Sequence, residues 1–235
     1  MTYHLSLSPW NSMLEKYVDD QGLVHYALWQ KESAKELDQW LMSVNQTSWD
    51  GLERDHAIAF LINLYNALTI QQVLQRYPIH SIRPPFLGLP NWLGFLQFFT
   101  REIYRLKGRS LSLNVIEHDI LRKKFNEPRI HFALVCASIG CPLLRSTAYL
   151  PDKLSNQLEE DAHRFINNPS KVRYETGSNT LYCSKIFKWY SADFLTQSDS
   201  IIDYISQYHT NPELSDSIKV VYLPYSWDLN QRTSS

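Results

Sequence analysis

A chain of 235 residues with 44% hydrophobic side chains can bury a packed core, which excludes an intrinsically disordered polypeptide. A formal net charge of −1, with no block of Lys or Arg, excludes a non-specific nucleic-acid surface, because phosphate binding needs clustered cations. The 14 Tyr and 7 Trp against only 7 Gly fit a helix-rich globular protein with polar-tipped aromatics near its surface.

Ser8-Pro9 reads as a helix start, and Trp10, Met13, Leu14, Tyr17 and Val18 then recur at helical spacing. A turn over Asp19–Gly22 leads to a short strand at Leu23–Tyr26. A second helix is predicted over about 32–44 and a third from about 55 to Tyr77, ending at Pro78. The apolar run Ala57–Ile62 is interrupted by Asn63 and Asn66 and falls short of a membrane span. Residues 78–100, with Pro84, Pro85, Gly88, Pro90, Trp92 and Gly94, read as a long ordered loop or flap within the domain. A strand is expected at Arg101–Leu106, followed by the Lys107-Gly108 turn. Ser112 or Asn114 should cap a helix to about Lys124, and Pro151 opens another through Ile166. Thr180–Cys183 and Lys219–Leu223 read as strands, with helices capped by Ser184 and Ser198 between them. The Thr233–Ser235 end is expected to fray.

Helices outnumber short, scattered strands, and the alternation of a doubly wound parallel sheet is missing. The fold class expected is α+β: a predominantly helical single domain, 1–235, with a small antiparallel sheet. Three cysteines are too few for a disulfide framework, and Met1–Trp10 lacks a basic stretch followed by an apolar run. A reducing, cytoplasmic setting with no secretory leader is therefore the expectation.

The residues that could carry chemistry concentrate between 117 and 142. On a helical wheel begun at Leu113, Glu117 falls at about 40°, inside the arc of Leu113, Ile116, Ile120 and Leu121, whereas His118 falls at about 140°. A carboxylate facing a core must be paired. It either ties elements together or orients a catalytic imidazole, and His131 is the favoured partner. Asn63 and Asn66 pose the same choice: they tie loops to the core, or they line a pocket and donate to an oxyanion. Cys136 follows four apolar residues and fits a small core hydrophobe. Cys141 lies between Gly140 and Pro142. A helical turn begun by Pro142 would make it an N-cap with a lowered thiol pKa. Direct pairing with His131 requires a bend, since a strand over 129–136 separates His131 from Cys136 by about 16 Å and a helix puts them about 140° apart. Cys136 and Cys141 with His131 or His118, and Cys183, offer a zinc alternative without a second tight ligand pair. No phosphate loop or zinc-protease motif occurs, and no metal or cofactor is expected.

Taken in order, several motifs resemble the bacterial and plant family catalogued as domain of unknown function 547. They are Trp10, Leu14, Tyr17-Val18, Gly22, Val24 and Tyr26; Ala59 through Ala67, with Leu61 where the family usually has Trp; and Ile116-Glu117-His118 with Leu121-Arg122. Pro128 through His131, Cys136-Ala137-Ser138 and Gly140-Cys141-Pro142 follow, then Ser184 through Tyr190 with Asp193-Phe194, and finally Leu223 through Asn230. The resemblance implies a Cys–His–Glu site of the papain or transglutaminase kind, falling here on Glu117, His131 and Cys136 or Cys141. The chain order Glu, His, Cys would make such an arrangement permuted. Two functions are thus expected as alternatives. One is a thiol-dependent hydrolase or acyl transferase acting on amide or ester bonds of a small-molecule or peptide substrate. Its thiol would attack, His131 would act as base, Glu117 would orient, and Asn63, Asn66, Arg129 and Trp92 would bind. The other is a non-catalytic binding or scaffold module whose polar core is structural. For the enzyme, the apolar flap at 78–100 should pack over the cleft that exposes the Cys136–Cys141 turn; the alternative is that its apolar side chains only complete the core or an oligomer interface.

Overall fold

The computed structural model describes residues 6–83, 85–86, 89–210 and 218–232; the expectations placed on Pro84, Leu87, Gly88 and Thr233–Ser235 lie outside them. Helix α1 (Ser8–Tyr17), α2 (Tyr26–Val44) and α3 (Arg54–Leu74) build the larger core. Trp10 stacks on Trp40 at 5.5 Å and Tyr17 on Trp29 at 5.0 Å, so wide aromatic faces weld α1 to α2. The 21-residue α3 is apolar enough to cross a membrane by composition, yet neighbours cover it on every side, as befits a core helix. The predicted strand at Leu23–Tyr26 reduces to single bridges from Val24 to Val18 and Gln231, because Tyr26 already opens α2.

The middle of the chain departs most from expectation. Residues 78–100 are not one loop. They hold a short hairpin, Pro85–Phe86 against Leu89–Pro90, and helix α4 (Trp92–Thr100), whose N-terminus is capped by the Asn91 side chain. The helix expected to Lys124 is π-helical over Val115–Leu121, so each residue advances by less than the 100° the wheel assumes, and it continues as α5 (Arg122–Phe125). Pro128–Phe132 forms a 3-10 turn that lies on the seam between two cores: Ile130 and Ala133 pack into the first, Phe132 into the second.

That second core is built on α6 (Leu154–Ile166), α7 (Ile186–Trp189), α8 (Ser191–Phe194), α9 (Ile201–Ser206) and a three-stranded sheet. Its first strand, Val172–Glu175, pairs antiparallel with Thr180–Cys183. Lys219–Tyr222 pairs parallel with that same middle strand, so the sheet is mixed where an antiparallel one was expected. The connection through α7–α9 returns the chain to the starting end of the sheet, which forces the parallel pairing. Beyond it, residues 223–231 run back across the first core. Tyr26 Oη donates to the Asn230 side chain at 2.7 Å, and the Leu229 N–H donates to the His80 carbonyl at 2.8 Å. The whole is an α+β fold, mainly helical, with small sheets.

The two α3 amides take the loop-tying role. Asn63 accepts from the Trp10 indole and the Tyr149 N–H and donates to the Ala59 and Tyr149 carbonyls. Asn66 donates to the Ala133 carbonyl and accepts from the Val135 N–H, both at 3.0 Å. Asn63→Ala strands buried polar groups on two separate elements and should cost about 3 kcal/mol in urea unfolding. A loss below about 1 kcal/mol would mean that water replaces the amide.

Candidate functional site

Beyond Val135 the chain turns back on itself. Ala137 is buried and left-handed (φ 60°), a conformation costly to an L-residue, and Cys141 N–H closes the turn on the Ser138 carbonyl at 3.0 Å. The reversal returns Cys141 to Cys136, and the two are joined as a disulfide. Gly140 is required here: a Cβ would stand 2.6 Å from the Ser226 carbonyl oxygen and 2.6 Å from the Tyr225 ring. The Ile139 and Gly140 N–H groups donate to Asp228 and Ser226. This backbone pairing seats Tyr225 Oη 3.2 Å from Cys141 Sγ and 3.5 Å from Cys136 Sγ. From the other side, the buried Lys171 ammonium donates to the Ile139 carbonyl.

Pro142 starts no helix, so Cys141 is not an N-cap and the helix-dipole argument for its activation falls. What surrounds it is different. Cys141 Sγ accepts from the Cys136 N–H at 3.0 Å, the Ser138 hydroxyl at 3.4 Å and Tyr225. Cys141 is buried and Cys136 is half-buried, which makes Cys136 the more accessible sulfur. The third cysteine, Cys183, is free and enclosed, and burial pushes its thiol up to about 12. With Cys136 and Cys141 paired to each other, the zinc alternative loses its ligands.

His131 comes from the 3-10 turn and is nearly enclosed. Its Nε2 lies 2.7 Å from Asp193 Oδ2 on α8. The Arg122 guanidinium grips both Asp193 oxygens, Nε donating to the same Oδ2 at 2.6 Å and Nη2 to Oδ1 at 2.9 Å. Burial raises the Asp193 carboxyl, but hydrogen bonds from His131 and Arg122 outweigh it and hold the group well below the usual carboxylate range. Burial lowers the His131 pKa against the pull of Asp193. The assignment that follows is a neutral imidazole donating from Nε2 to an ionised Asp193, with Nδ1 left as the basic nitrogen.

Glu117 is buried as its helical position implied, but its partner is not His131. Its two carboxylate oxygens accept from Tyr190 Oη at 2.6 Å and Tyr65 Oη at 3.1 Å. Tyr190 in turn lies flat on the His131 ring, with centroids 3.8 Å apart and planes at 21°. Glu117 therefore fixes the plate on which the imidazole rests, while Asp193 sets its hydrogen bond.

These groups open on one cleft of about 660 Å3, lined by Glu117, His131, Cys136 and Cys141 together. Trp92, Phe95, Leu96, Phe99 and Thr100 of the flap form one wall, as the apolar character of that segment implied. Trp189, Tyr225 and Trp227 form another. Arg129 does not line the cleft. Its guanidinium is held by both oxygens of Glu127 and by Glu159. Asn63 and Asn66 also lie outside the lining, and Asn66 acts from behind it on the 133–135 backbone. Asp193, Arg122, Tyr190, Tyr65 and Tyr225 received no role from sequence reasoning. Most stand within the shared motifs, but linear spacing cannot tie residue 131 to residue 193.

The cysteine environments predict an order of reactivity. After mild reduction, Cys136 should alkylate first, Cys141 more slowly and Cys183 only on unfolding. Peptide mapping after timed iodoacetamide pulses checks this order, and early labelling of Cys183 would contradict it. Lys171 predicts a pH effect. Burial lowers its amine to about 8 from 10.5, so between these values the unfolded chain binds more protons and stability rises with pH. The gain should reach about 3 kcal/mol at most and vanish in Lys171→Met, as read by urea unfolding between pH 7.5 and about 9.5.

No curated protein and no solved structure matches the chain. The family described as "Protein of unknown function, DUF547" matches residues 49–166, which take in α3, the flap, Glu117, His131 and both paired cysteines. That match spans half of the chain, and the protein belongs to the DUF547 family.

Proposed function

We propose that the reduced protein is a thiol-dependent hydrolase or acyl transferase acting on ester or amide bonds, with Cys136 as nucleophile and His131 as base. The observation that carries this reading is that a half-buried sulfur and an imidazole already oriented by a carboxylate open on one cleft. Glu117 moves from the orienting role expected of it to a positioning role through Tyr190, and Asp193 takes its place.

The cycle begins when an external dithiol reduces the Cys136–Cys141 bond, yielding two thiols and the oxidised reductant. His131 Nδ1 takes the Cys136 proton, and the thiolate attacks the substrate carbonyl carbon. Collapse of the tetrahedral adduct breaks the ester or amide bond. The imidazolium returns its proton to the departing alcohol or amine, leaving a thioester on Cys136. Water or another acceptor, deprotonated by His131, then cleaves the thioester and restores the thiol. Burial suits His131 to this work, because it keeps the ring neutral at the start of each cycle.

The disulfide favours one rival reading: a binding module in which Cys136–Cys141 is a permanent staple beneath a ligand cleft. The two readings differ in one experiment. Reduced protein incubated with 4-nitrophenyl hexanoate should release a burst of nitrophenolate and gain one hexanoyl mass on the peptide bearing Cys136. Cys136→Ser and His131→Gln should abolish both signals, and Asp193→Asn should slow the burst by about 10²–10⁴-fold. An oxidised sample should stay silent until dithiothreitol is added. If no hexanoyl mass appears, or Cys136→Ser acylates like the parent, the acyl-transfer reading is wrong and the staple reading stands.

A further inference from the structure

We infer that the cleft binds an amphipathic anion, namely an aliphatic chain carrying a carboxylate or phosphate. The chain would lie along the aromatic strip, with the anionic group paired to one of the two cations of the cleft lining, Arg83 or Lys185. The inference names the substrate class of the site proposed above and rests on that proposal only for the chemistry; the binding it asserts needs no turnover.

The first observation is the strip itself. Trp92, Phe95, Trp227 and Trp189 follow one another at centroid spacings of 6.0, 4.6 and 6.0 Å, and all four rings line the cleft. An unbroken run of rings is a track for an extended apolar chain, with few hydrogen-bonding groups to satisfy a sugar or a peptide backbone. The strip is also left uncovered. Trp92 is 57% exposed, Leu96 55% and Trp189 47%, a concentration of wet apolar surface that marks a binding face. Helix α4 shows why. Of its nine residues only Phe98 is buried, so most of its apolar surface serves the cleft or faces solvent.

The second observation is charge. The other half-buried arginines among the described residues are all neutralised: Arg122 by Asp193, Arg129 by Glu127 and Glu159, Arg145 by Glu160 and Asp161, and Arg164 by Asp161. Arg83 and Lys185 are also half-buried and line the cleft, yet neither has a carboxylate within ion-pair distance among the described residues. The Arg83 guanidinium lies over the Trp92 ring at 4.0 Å, which fixes it at the end of the strip. The carboxylate that shares the cleft, Glu117, is already saturated by two phenols. Two cations without an acid, set in apolar walls, are arranged for an anion that the ligand brings.

The test measures binding to the non-reactive Cys136→Ser protein, by quenching of tryptophan fluorescence and by calorimetry, below the micelle concentration of each probe. Dodecanoate, dodecyl phosphate, dodecan-1-ol and dodecyltrimethylammonium share the chain and differ in the head. Dodecanoate or dodecyl phosphate should bind at least about tenfold more tightly than dodecanol. The preference between those two tells carboxylate from phosphate. Arg83→Met with Lys185→Met should remove the discrimination while leaving dodecanol binding in place, and the single variants tell which of the two cations holds the head. Equal binding of dodecanol and the anions, preference for the ammonium, or no binding by any probe overturns the inference. Failure here with acylation of Cys136 intact would discard the ligand class alone. Anion binding without acylation would leave the ligand class standing and discard the catalytic reading.

Discussion

The hydrogen bonding of the Ala133–Cys141 backbone is the constraint on which the site depends. Most of this segment is buried on the seam between two cores and belongs to no helix or sheet, so its buried amides and carbonyls must find partners outside regular structure. Asn66 supplies a donor and an acceptor from α3, Lys171 a donor from beside the sheet, and the C-terminal return the carbonyls of Ser226 and Asp228 and the Asn230 N–H. Three remote parts of the chain thus converge on nine residues. Their convergence, more than any preference of the segment itself, holds Ala137 in the left-handed region and brings Cys141 against Cys136.

Around that turn the protein separates the holding of charge from its use. Arg122 and Asp193 form a partly buried, two-pronged ion pair, and His131 Nε2 shares the Oδ2 oxygen of it with Arg122 Nε. Glu117 is kept from His131 by Tyr190, which occupies both: its hydroxyl takes the carboxylate and its ring supports the imidazole. Two carboxylates therefore act on one imidazole by different means, one through a hydrogen bond and one through the position of a ring. Neither competes with the other for the same nitrogen.

The flap and the C-terminal segment complete the cleft from opposite ends of the sequence. Phe95 packs edge-on against Trp227 at 4.6 Å, and Trp227 stacks near Trp189 from α7. The aromatic strip is consequently shared among three elements that have no local reason to meet. At the two ends of the strip Trp92 and Trp189 remain exposed. The same architecture sets the Cys136–Cys141 pair at a place where apolar surface, a neutral imidazole and two cations without an ion-pair partner among the described residues coexist.

Much of this was legible in the sequence. The helices α1 and α3, the inward-facing Glu117, the polar pair Asn63 and Asn66, the gathering of thiols and imidazole near 131–141 and the apolar flap all follow from spacing and side-chain type, because periodicity and burial are local properties of a chain. Partner identity is not local. That Asp193 and not Glu117 holds His131, that Arg129 is spent on Glu127 and Glu159, and that Tyr225 sits at the sulfurs are consequences of how the 186–194 helices and the 223–230 return fold onto the first core. The mixed sheet belongs with them, since a long crossover decided its parallel pairing. The sequence by itself determined which residues had to be buried and which buried groups needed partners. Only the tertiary structure decided which partners they took, because a hydrogen bond between side chains 62 positions apart leaves no period in the chain that makes it.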